Sequence, residues 1–442
     1  METNQQNIKI DVHHLTRVEG HGNIVVNINQ GTIEKCEWQV PEAPRFFEAM
    51  VRGCHFSEVA RVTSRICGIC AIGHTLASCK ATEDALGITI SPQSHKMRTL
   101  LKLAETFDSH VVHVLFLVAP DLFGVPSVFP LVPTHGEVVK KALRLKRFGH
   151  EWGALIAGRS THPTSVVPGG FADMPHQREF VALRKRFDAE ILPDLKDILS
   201  VLLSVADRIP AFKRETEYVA IHSDTEYGLY DGDIQCVTPD GKKERLNVSQ
   251  YRQVTNEYMT AQSTAKFCKH KLPAYMAGAL ARFNNNFDQL HPEAKGVAKA
   301  LNLAPLCFNP YLNNAAQVVE IVHSVHEGMR LLDELLAAGI KDEELVKPTK
   351  FGEGFGMVEV PRGILFHNYV YNREHICQSG NCIIPTNQNH GNIQLDFDKL
   401  VPELLKAGKG EKEMELALEM LVRAYDPCIS CSTHYLKVKF VR

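Results

Sequence analysis

Two short motifs at opposite ends of the chain decide how it must fold: Arg-Ile-Cys-Gly-Ile-Cys-Ala-Ile-Gly-His at residues 65–74, and Asp-Pro-Cys-Ile-Ser-Cys-Ser-Thr-His at residues 426–434. Each motif contains two cysteines separated by two residues, a spacing that lets both sulfurs turn toward one metal ion. Ordinary zinc modules close both cysteine pairs within a short stretch of chain, because a small module has little else to hold it together. Here the site has to be assembled inside a completed fold, and four thiolates in such a place favour a soft metal.

The residues that flank the cysteines strengthen the prediction of a metal site. Arg65 places a cation near the first pair, which lowers the pKa of thiols. His74 is well placed to donate a hydrogen bond to a metal-bound sulfur, and His434 is a candidate ligand for a second, harder cation. Four unrelated structural thiols would be unusual with this flanking pattern. A structural zinc site stays open as an alternative, because four cysteines are a standard zinc set.

Composition limits the class of protein and its surroundings. The chain has 442 residues, of which 44% are hydrophobic and 23% charged, and its net charge is −2. Such a balance is ordinary for a globular protein and predicts neither nucleic-acid binding nor attraction to an anionic membrane. Twelve cysteines are too few for a disulfide scaffold of this length and favour a reducing compartment.

We expect no direct membrane insertion and a cytoplasmic location. Residues 1–14 are polar and lack the apolar region of a signal peptide. The apolar run at 111–120 is interrupted by His113 and is too short to span a bilayer. Export together with a partner that carries its own signal stays open.

Hydrophobic periodicity predicts an α+β fold that is mainly helical, with a bundle of long helices and small β-layers at its periphery. Alternating apolar residues at 8–12 and 24–28, before a turn at Gly31, indicate a β-hairpin. Helical patterns extend over 91–123, 176–208 (bent at Pro193), 315–338 and 411–425. The Thr-, Tyr-, Asp- and Gly-rich stretch 218–246 predicts a small β insertion. The glycines of Gly352-x-Gly354-x-Gly356 have the wrong spacing for a dinucleotide loop, and we interpret them as a turn.

We expect residues 1–434 to form one intertwined unit. Its segments are the hairpin and first cysteine pair (1–90), long helices (91–217), a β-containing insertion (218–272), and a helical region with the second pair (273–434). Residues 435–442 have two interpretations. They are either a removable C-terminal propeptide, which we favour slightly, or a strand in which Leu436, Val438 and Phe440 alternate with lysines.

The two cysteine motifs resemble the signature motifs of the large subunit of nickel–iron hydrogenases, R-x-C-G-x-C-x-x-x-H and D-P-C-x-x-C-x-x-H, without a gap. Further segments resemble the same family: Thr-Arg-Val-Glu-Gly-His at 16–21, Pro-Arg-Phe-Phe-Glu at 44–48, and Pro-Arg-Gly at 361–363. Pro-Thr-Asn-Gln-Asn at 385–389 is similar to the form found in the cytoplasmic, multimeric group. The resemblance covers essentially the whole chain and implies the fold of that family.

The resemblance also implies a ligand set. Nickel is expected on the four motif cysteines, which are Cys67, Cys70, Cys428 and Cys431. Cys70 and Cys431 would bridge to an iron that carries carbon monoxide and cyanide. Around this centre the family pattern implies Arg362 and Thr386 as hydrogen-bond donors to the cyanides, His74 as a donor toward Cys431, and Asp426 as the partner of Arg362. A magnesium ion is implied on Glu48, His434 and the backbone carbonyl near Cys382.

The activity implied by the resemblance is reversible heterolytic cleavage of H2 to protons and electrons. Cys428 would take the proton first and Glu19 would pass it outward, with Arg362 assisting above the site. Cysteines outside the four show no iron–sulfur spacing, so we expect a partner small subunit with iron–sulfur clusters and further electron-transfer subunits. The family pattern also implies a maturation protease. His110 and His113 are interpreted as packing or supporting residues rather than metal ligands.

Three alternatives to a catalytic hydrogenase are compatible with parts of the sequence. A non-catalytic relative, such as the quinone-site subunit of respiratory complex I, has lost the four cysteines that this chain keeps. A sensory hydrogenase, which signals through protein contacts, is a closer alternative, and a structural zinc protein is a more distant one.

Overall fold

Residues 7–434 are described by a computed structural model, so the predicted extension at 435–442 lies outside the described residues. The β-strands of the described part, in chain order, are β1 (Ile8–Val12), β2 (Asn23–Asn29), β3 (Thr32–Gln39), β4 (Val166–Val167), β5 (Gly170–Phe171), β6 (Glu217–His222), β7 (Asp233–Val237), β8 (Lys243–Leu246), β9 (Asn256–Tyr258), β10 (Phe267–Lys269), β11 (Tyr275–Met276), β12 (Glu353–Val360), β13 (Gly363–Tyr371) and β14 (Cys377–Ile383).

The α-helices of the same part are α1 (Phe47–Met50), α2 (Phe56–Thr63), α3 (Ala71–Leu86), α4 (Pro92–Val112), α5 (Ala119–Leu122), α6 (Val132–Ala157), α7 (Gln177–Arg186), α8 (Leu192–Leu203), α9 (Tyr251–Val254), α10 (Ala279–Asn286), α11 (Pro292–Ala300), α12 (Asn313–Ala338), α13 (Pro385–Lys406), α14 (Glu411–Ala424) and α15 (Ile429–Ser432). The predicted class, α+β and mainly helical, is confirmed. Within residues 7–434, no helix combines the length and the apolar character that crossing a bilayer needs.

The long helices form the centre of the fold, as predicted. Helix α4 begins where the Ser91 side chain accepts a hydrogen bond from the Ser94 amide, with a proline in the first turn. It packs against α6 and α12, and its apolar face is buried between them. Helices α7 and α8 are joined by a π-helical turn at Phe187–Ile191, directly before Pro193, where the bend was predicted.

The amino-terminal hairpin is confirmed and is one strand larger than predicted. Strands β1, β2 and β3 form an antiparallel sheet in which Ile10 faces Val26 and Ile24 faces Trp38. These side chains are buried against the helical core. The β insertion is confirmed as well, since β6, β7 and β8 form an antiparallel sheet to which β11 adds in parallel.

The prediction of a turn at 352–356 is wrong, and the helical assignment of 273–434 is incomplete. The glycines lie in or beside β12, which pairs with β13 and β14 in a three-stranded antiparallel sheet. A Cβ on Gly354 would lie 2.2 Å from the Ala85 nitrogen, and one on Gly356 would lie 2.2 Å from the Ala77 oxygen. The glycines therefore let β12 lie directly on α3. Strand β13 is buried on both faces, so it lacks the alternation that reveals a strand in a sequence.

Candidate metal centre

Four buried sulfurs from the two ends of the chain meet at one place. The sulfur of Cys67 lies 3.6 Å from that of Cys428. The sulfurs of Cys67, Cys70 and Cys431 all lie within 4.8 Å of one another. Each of the four residues is at most 2% exposed and none is in a disulfide. The structure thus brings together the four cysteines that the sequence singles out.

The first cysteine pair is held by backbone structure. Cys70 precedes the first residue of α3, and the amides of Ile69 and Cys70 donate hydrogen bonds to the Cys67 sulfur over 3.2 and 3.0 Å. Helix α3 is fixed on β12 through Gly73, where a Cβ would lie 2.1 Å from the side chain of Val360. This pair therefore rests on a long helix with a close backbone support.

In the second pair, Cys428 directly precedes α15 and Cys431 lies on it, and residues from distant parts of the chain hold this single short turn. The Ile429 amide donates to the Glu19 carbonyl over 2.9 Å. Arg45 donates to the Ser430 carbonyl over 2.6 Å, and Asn387 donates to the Ser432 carbonyl over 2.8 Å. Side chains that are distant in sequence thus support the second pair, whereas helix α3 supports the first.

Glu19 reaches the sulfur of the second pair directly. Its Oε2 lies 3.1 Å from the Cys428 sulfur and accepts the Ser430 amide over 3.1 Å, while its Oε1 accepts the Ser430 hydroxyl. The adjacent Gly20 has φ +84°, and a Cβ there would lie 2.6 Å from the Ser430 nitrogen. Only glycine permits the segment to approach this closely.

Arg362 lies in the turn between β12 and β13 and pairs with Asp426. Its Nη2 donates to Asp426 Oδ1 over 2.6 Å, and Gln317 donates to Oδ2 of the same carboxylate over 3.1 Å. Asp426 has φ +50°, a left-handed conformation that is unusual for a residue before proline. The Nε and Nη1 atoms of Arg362 are buried without a hydrogen-bond partner. The predicted pair of Arg362 and Asp426 is present.

Thr386 and His74 also border the sulfurs. The Thr386 hydroxyl oxygen accepts a hydrogen bond from the Cys428 amide over 3.0 Å. Nδ1 of His74 lies 3.1 Å from Nε2 of His367, whereas Nε2 of His74 is buried without a partner. Burial lowers the pKa of His74 to about 4, so its ring is neutral at pH 7 and carries one N–H.

The sulfurs differ in their readiness to ionise. Burial opposes a charge on Cys67, but hydrogen bonds from Cys428, Cys431 and Cys70 outweigh it and lower the pKa of its thiol well below the usual value. Burial and the neighbouring sulfurs raise the pKa of Cys428 well above the usual value. Among the four sulfurs, ionisation is therefore more favourable at Cys67 than at Cys428.

Glu48, His434 and the Cys382 carbonyl converge at a second place. The Glu48 carboxylate accepts the Cys382 amide over 2.8 Å, and its Oε1 lies 3.7 Å from His434 Nε2. His434 donates from the same nitrogen to the Cys382 carbonyl over 2.7 Å. Burial disfavours the Glu48 charge, but the nearby His434 ring and the Cys382 amide together leave the pKa of this carboxyl below its usual range.

A buried charge network behind Arg362 was missed by sequence reasoning. Arg282 is fully buried, pairs with Glu320 over 2.7 Å and with Glu359 over 2.8 Å, and donates to the Pro361 carbonyl over 2.9 Å. These three residues are far apart in sequence and belong to no motif, so a single sequence carries no signal for them. His110 contacts Glu320 over 2.6 Å, in agreement with the packing role predicted for it.

The donor set fits a nickel–iron centre. Four buried cysteine sulfurs are soft ligands, and such a set suits nickel and iron. Burial opposes the charge of Arg362, but Asp426, followed by Cys428, Cys70 and Cys67, raises the pKa of its guanidinium, and its Nε and Nη1 have no hydrogen-bond partner. Buried donors without partners are rare in native proteins and indicate a further acceptor in the complete site.

Comparison with known proteins agrees with this geometry. Residues 45–142 and 213–434 match the profile of a family described as nickel-dependent hydrogenase, and residues 9–43 match a profile described as HoxL-like. Sulfhydrogenase 2 subunit alpha of Pyrococcus furiosus is 32% identical over 97% of this chain and 100% of its own length. NAD-reducing hydrogenase HoxS subunit beta of Cupriavidus necator is 26% identical over 97% of this chain and 95% of its own. The crystal structure of an NAD+-reducing NiFe-hydrogenase in the H2-reduced state superimposes with a TM-score of 0.87 at 26% identity, covering 96% of this chain and 99% of that chain.

Proposed function

The chain belongs to the nickel-dependent hydrogenase family as a large subunit of the nickel–iron type, and we propose that it catalyses the reversible cleavage of H2 to protons and electrons. The convergence of four buried cysteines from both ends of the chain carries this proposal. When bound, a nickel–iron centre with carbon monoxide and cyanide on the iron supplies the heterolytic cleavage. Cys67, Cys70, Cys428 and Cys431 would hold it, with Cys70 and Cys431 as the bridging ligands.

The residues around the sulfurs have distinct proposed tasks. Arg362 would donate its unpartnered N–H groups to the cyanide ligands, and the Thr386 hydroxyl would donate to them as well. Asp426 holds the guanidinium of Arg362 in place through their 2.6 Å ion pair. His74 offers a neutral ring next to the cluster and donates toward Cys431.

The proposed proton path begins at Cys428 and continues to Glu19. The Cys428 sulfur holds the proton, and the Glu19 carboxylate at 3.1 Å is within hydrogen-bond reach to accept it. Ser430 fixes that carboxylate through its amide and its hydroxyl. Glu19 is only partly buried, so it can pass the proton toward solvent.

We also propose a magnesium ion on Glu48, His434 and the Cys382 carbonyl. The support is that His434 Nε2 lies 2.7 Å from the Cys382 carbonyl and 3.7 Å from the Glu48 carboxylate, which itself accepts the Cys382 amide. Magnesium favours oxygen donors and keeps several waters, which suits a site with few protein ligands.

The remaining proposals concern assembly. Electrons leave through a small subunit with iron–sulfur clusters, because the cysteines outside the four have no iron–sulfur spacing. A maturation protease removes residues 435–442, and the enzyme works in the cytoplasm, where free thiols persist. The chain from 1 to 434 is one unit, a proposal supported by a buried core cluster that contains residues from Ile8 to Cys431.

Infrared spectroscopy together with an activity assay tests the proposed function. The purified complex should show carbonyl and cyanide stretches, contain nickel and iron, and reduce an artificial acceptor with H2. Zinc in place of nickel without those stretches would contradict a hydrogenase. Intact stretches with very slow turnover would indicate a sensor instead.

A further inference from the structure

A second cluster of metal-ligating side chains lies on the peripheral four-stranded sheet, away from the four motif cysteines. It consists of Glu217 on β6, Cys236 on β7, and His270 in the segment after β10. One ligand atom of each residue lies within 4.8 Å of the others. Glu217 and Cys236 are 0% and 1% exposed, and the side chain of His270 is 10% exposed.

Strand register explains why the three side chains meet. Cys236 pairs with Val219 on β6, and Glu217 lies two residues before Val219, so Glu217 and Val219 share one face of the sheet. His270 approaches that face from another segment, with its Nδ1 2.7 Å from Glu217 Oε1. The cluster therefore joins three stretches of chain that are distant in sequence.

The cluster is incomplete as a hydrogen-bonding system. Oε2 of Glu217 is buried and has no hydrogen-bond partner. A buried carboxylate oxygen without a partner is costly, because the interior replaces water with nothing that can compensate. Burial and the charges of Glu217 and Glu244 raise the pKa of the Cys236 thiol, and a bound divalent cation would oppose all three effects.

We propose that Glu217, Cys236 and His270 bind a divalent transition-metal cation of the zinc class. A mixed set of sulfur, imidazole nitrogen and carboxylate oxygen is typical of zinc and unsuited to magnesium or calcium. Three protein ligands leave a fourth position, and His270 is the ligand nearest to solvent. The ion would fasten β6, β7 and the segment after β10 to one another.

Glu244 completes the arrangement from the rim. It faces Cys236 in the register of β7 and β8, and its Oε2 lies 3.9 Å from Nε2 of His270. Metal-binding histidines usually direct their other ring nitrogen to a carboxylate, which fixes the ring. Lys271 contacts the same carboxylate and holds it at the rim.

Metal analysis of the purified hydrogenase complex tests the proposal. Because partner subunits contribute metals of their own, the measured quantity is the change in zinc per large subunit between variants. Cys236→Ala and Glu217→Gln should each remove most of the zinc from this site, leaving at most about a tenth occupancy, with nickel content unchanged. Cys268→Ala is the matched control, since Cys268 is a buried thiol on β10 outside the cluster. Its zinc content should equal that of the unaltered protein.

A second measurement covers the case in which a buried variant fails to fold. His270→Gln changes the least buried ligand and keeps a hydrogen-bonding group beside Glu217, and it should also lose the zinc. After exchange with Co2+, the unaltered protein and the Cys268 variant should show a near-ultraviolet thiolate-to-cobalt band that Cys236→Ala lacks. Zinc that is absent from the unaltered complex even after incubation with Zn2+, or zinc retained by all three ligand variants, would overturn the proposal. The cluster would then be an ordinary histidine–glutamate pair beside a buried thiol.

Discussion

The two cysteine pairs carry the same spacing, yet the molecule supports them in opposite ways. The first pair begins a long helix that lies against β12 with almost no room for a side chain between them. The second pair begins and occupies the four-residue helix α15, with Cys428 just before it and Cys431 within it, and residues from three distant segments hold this helix in place. Identical motifs therefore receive rigid backbone support in one case and a set of individual polar contacts in the other.

Because of this difference, substitutions near the two cysteine pairs should have different effects. A change near the first pair acts through packing, because backbone atoms of α3 and β12 are in direct contact. A change near the second pair removes one hydrogen bond or one charge, and the remaining contacts still hold the turn. Residues around the second pair are thus able to take part in chemistry while also serving as tethers, and Glu19 is the clearest example.

The variant Glu19→Gln tests whether Glu19 does more than hold the second cysteine pair in place. We expect the largest effect on turnover from this variant. The amide keeps an oxygen for Ser430 but cannot accept a proton, so turnover should fall by about 10²- to 10⁴-fold. Nickel and iron content should stay unchanged. H2-dependent reduction of an artificial acceptor measures the rate.

Glu42→Gln is the matched control, since Glu42 accepts the neighbouring His21 amide but does not contact a cysteine. It should keep normal activity. Unchanged turnover in Glu19→Gln would mean that Glu19 only fastens the second pair.

Asp426→Ala removes the charged tether between the second pair and Arg362. The Arg362 guanidinium would be left buried without its carboxylate, and the free energy of unfolding should fall by about 3–5 kcal/mol. Denaturant titration of the isolated chain measures the change. Glu137→Ala, which breaks the exposed pair between Glu137 and Lys140, should have a much smaller effect. Equal effects of the two variants would show that the buried pair contributes little.

Gly356→Ala tests the packing that supports the first pair. The new methyl group would lie 2.2 Å from the Ala77 oxygen, so α3 or β12 must move, at a cost of about 1–3 kcal/mol. Gly296→Ala in α11 has open space around the added methyl group and should instead stabilise the protein by about 0.4–1 kcal/mol. Thermal unfolding distinguishes the two. A neutral Gly356→Ala would indicate that the close contact is not needed.

Acid should lower the stability of the region that holds the second cysteine pair gradually, through the protonation of His390. His390 accepts from Trp38 over 3.0 Å and donates to the Ser432 hydroxyl over 3.0 Å, and burial lowers the pKa of His390 to about 3. The unfolded chain takes up this proton near pH 6.5, whereas the folded chain does so only near pH 3. The free energy of unfolding therefore falls as the pH drops through that range, by at most about 1.4 kcal/mol per pH unit for this group.

The variant His390→Gln tests that contribution. Its unfolding free energy should depend less steeply on pH between 6.5 and 3 than that of the unaltered protein. Identical slopes would assign the acid sensitivity to other buried histidines.

Sequence reasoning predicted the elements with clear periodicity and the residues with motif character. The helices predicted at 91–123 and 315–338 and the amino-terminal hairpin were found because one face of each is apolar. Strand β13 was missed because it is buried on both faces. The glycines of β12 were misinterpreted as a turn because they serve the close packing of α3 against the strand.

The site was predictable only as far as its motifs extend. The cysteines, Glu19 and Arg362 lie in recognisable patterns, whereas Arg282 and Glu320 have no local signal, since their pairing exists only after folding. The convergence of the motif residues is a feature of the structure. Their roles toward metals stay predictions.

The short contact between Glu19 and Cys428 has a consequence for how the chain reaches its native state. The two residues are 409 positions apart, so their pairing closes almost the entire polypeptide into a ring. Closing a loop of this length has a large entropic cost that only the completed fold compensates. Contacts of such high sequence separation form late and slow the overall folding rate. The second cysteine pair should consequently gain hydrogen-exchange protection after the first, and a chain stopped before residue 428 would hold half of the sulfur ligands and lack the contact between Glu19 and Cys428.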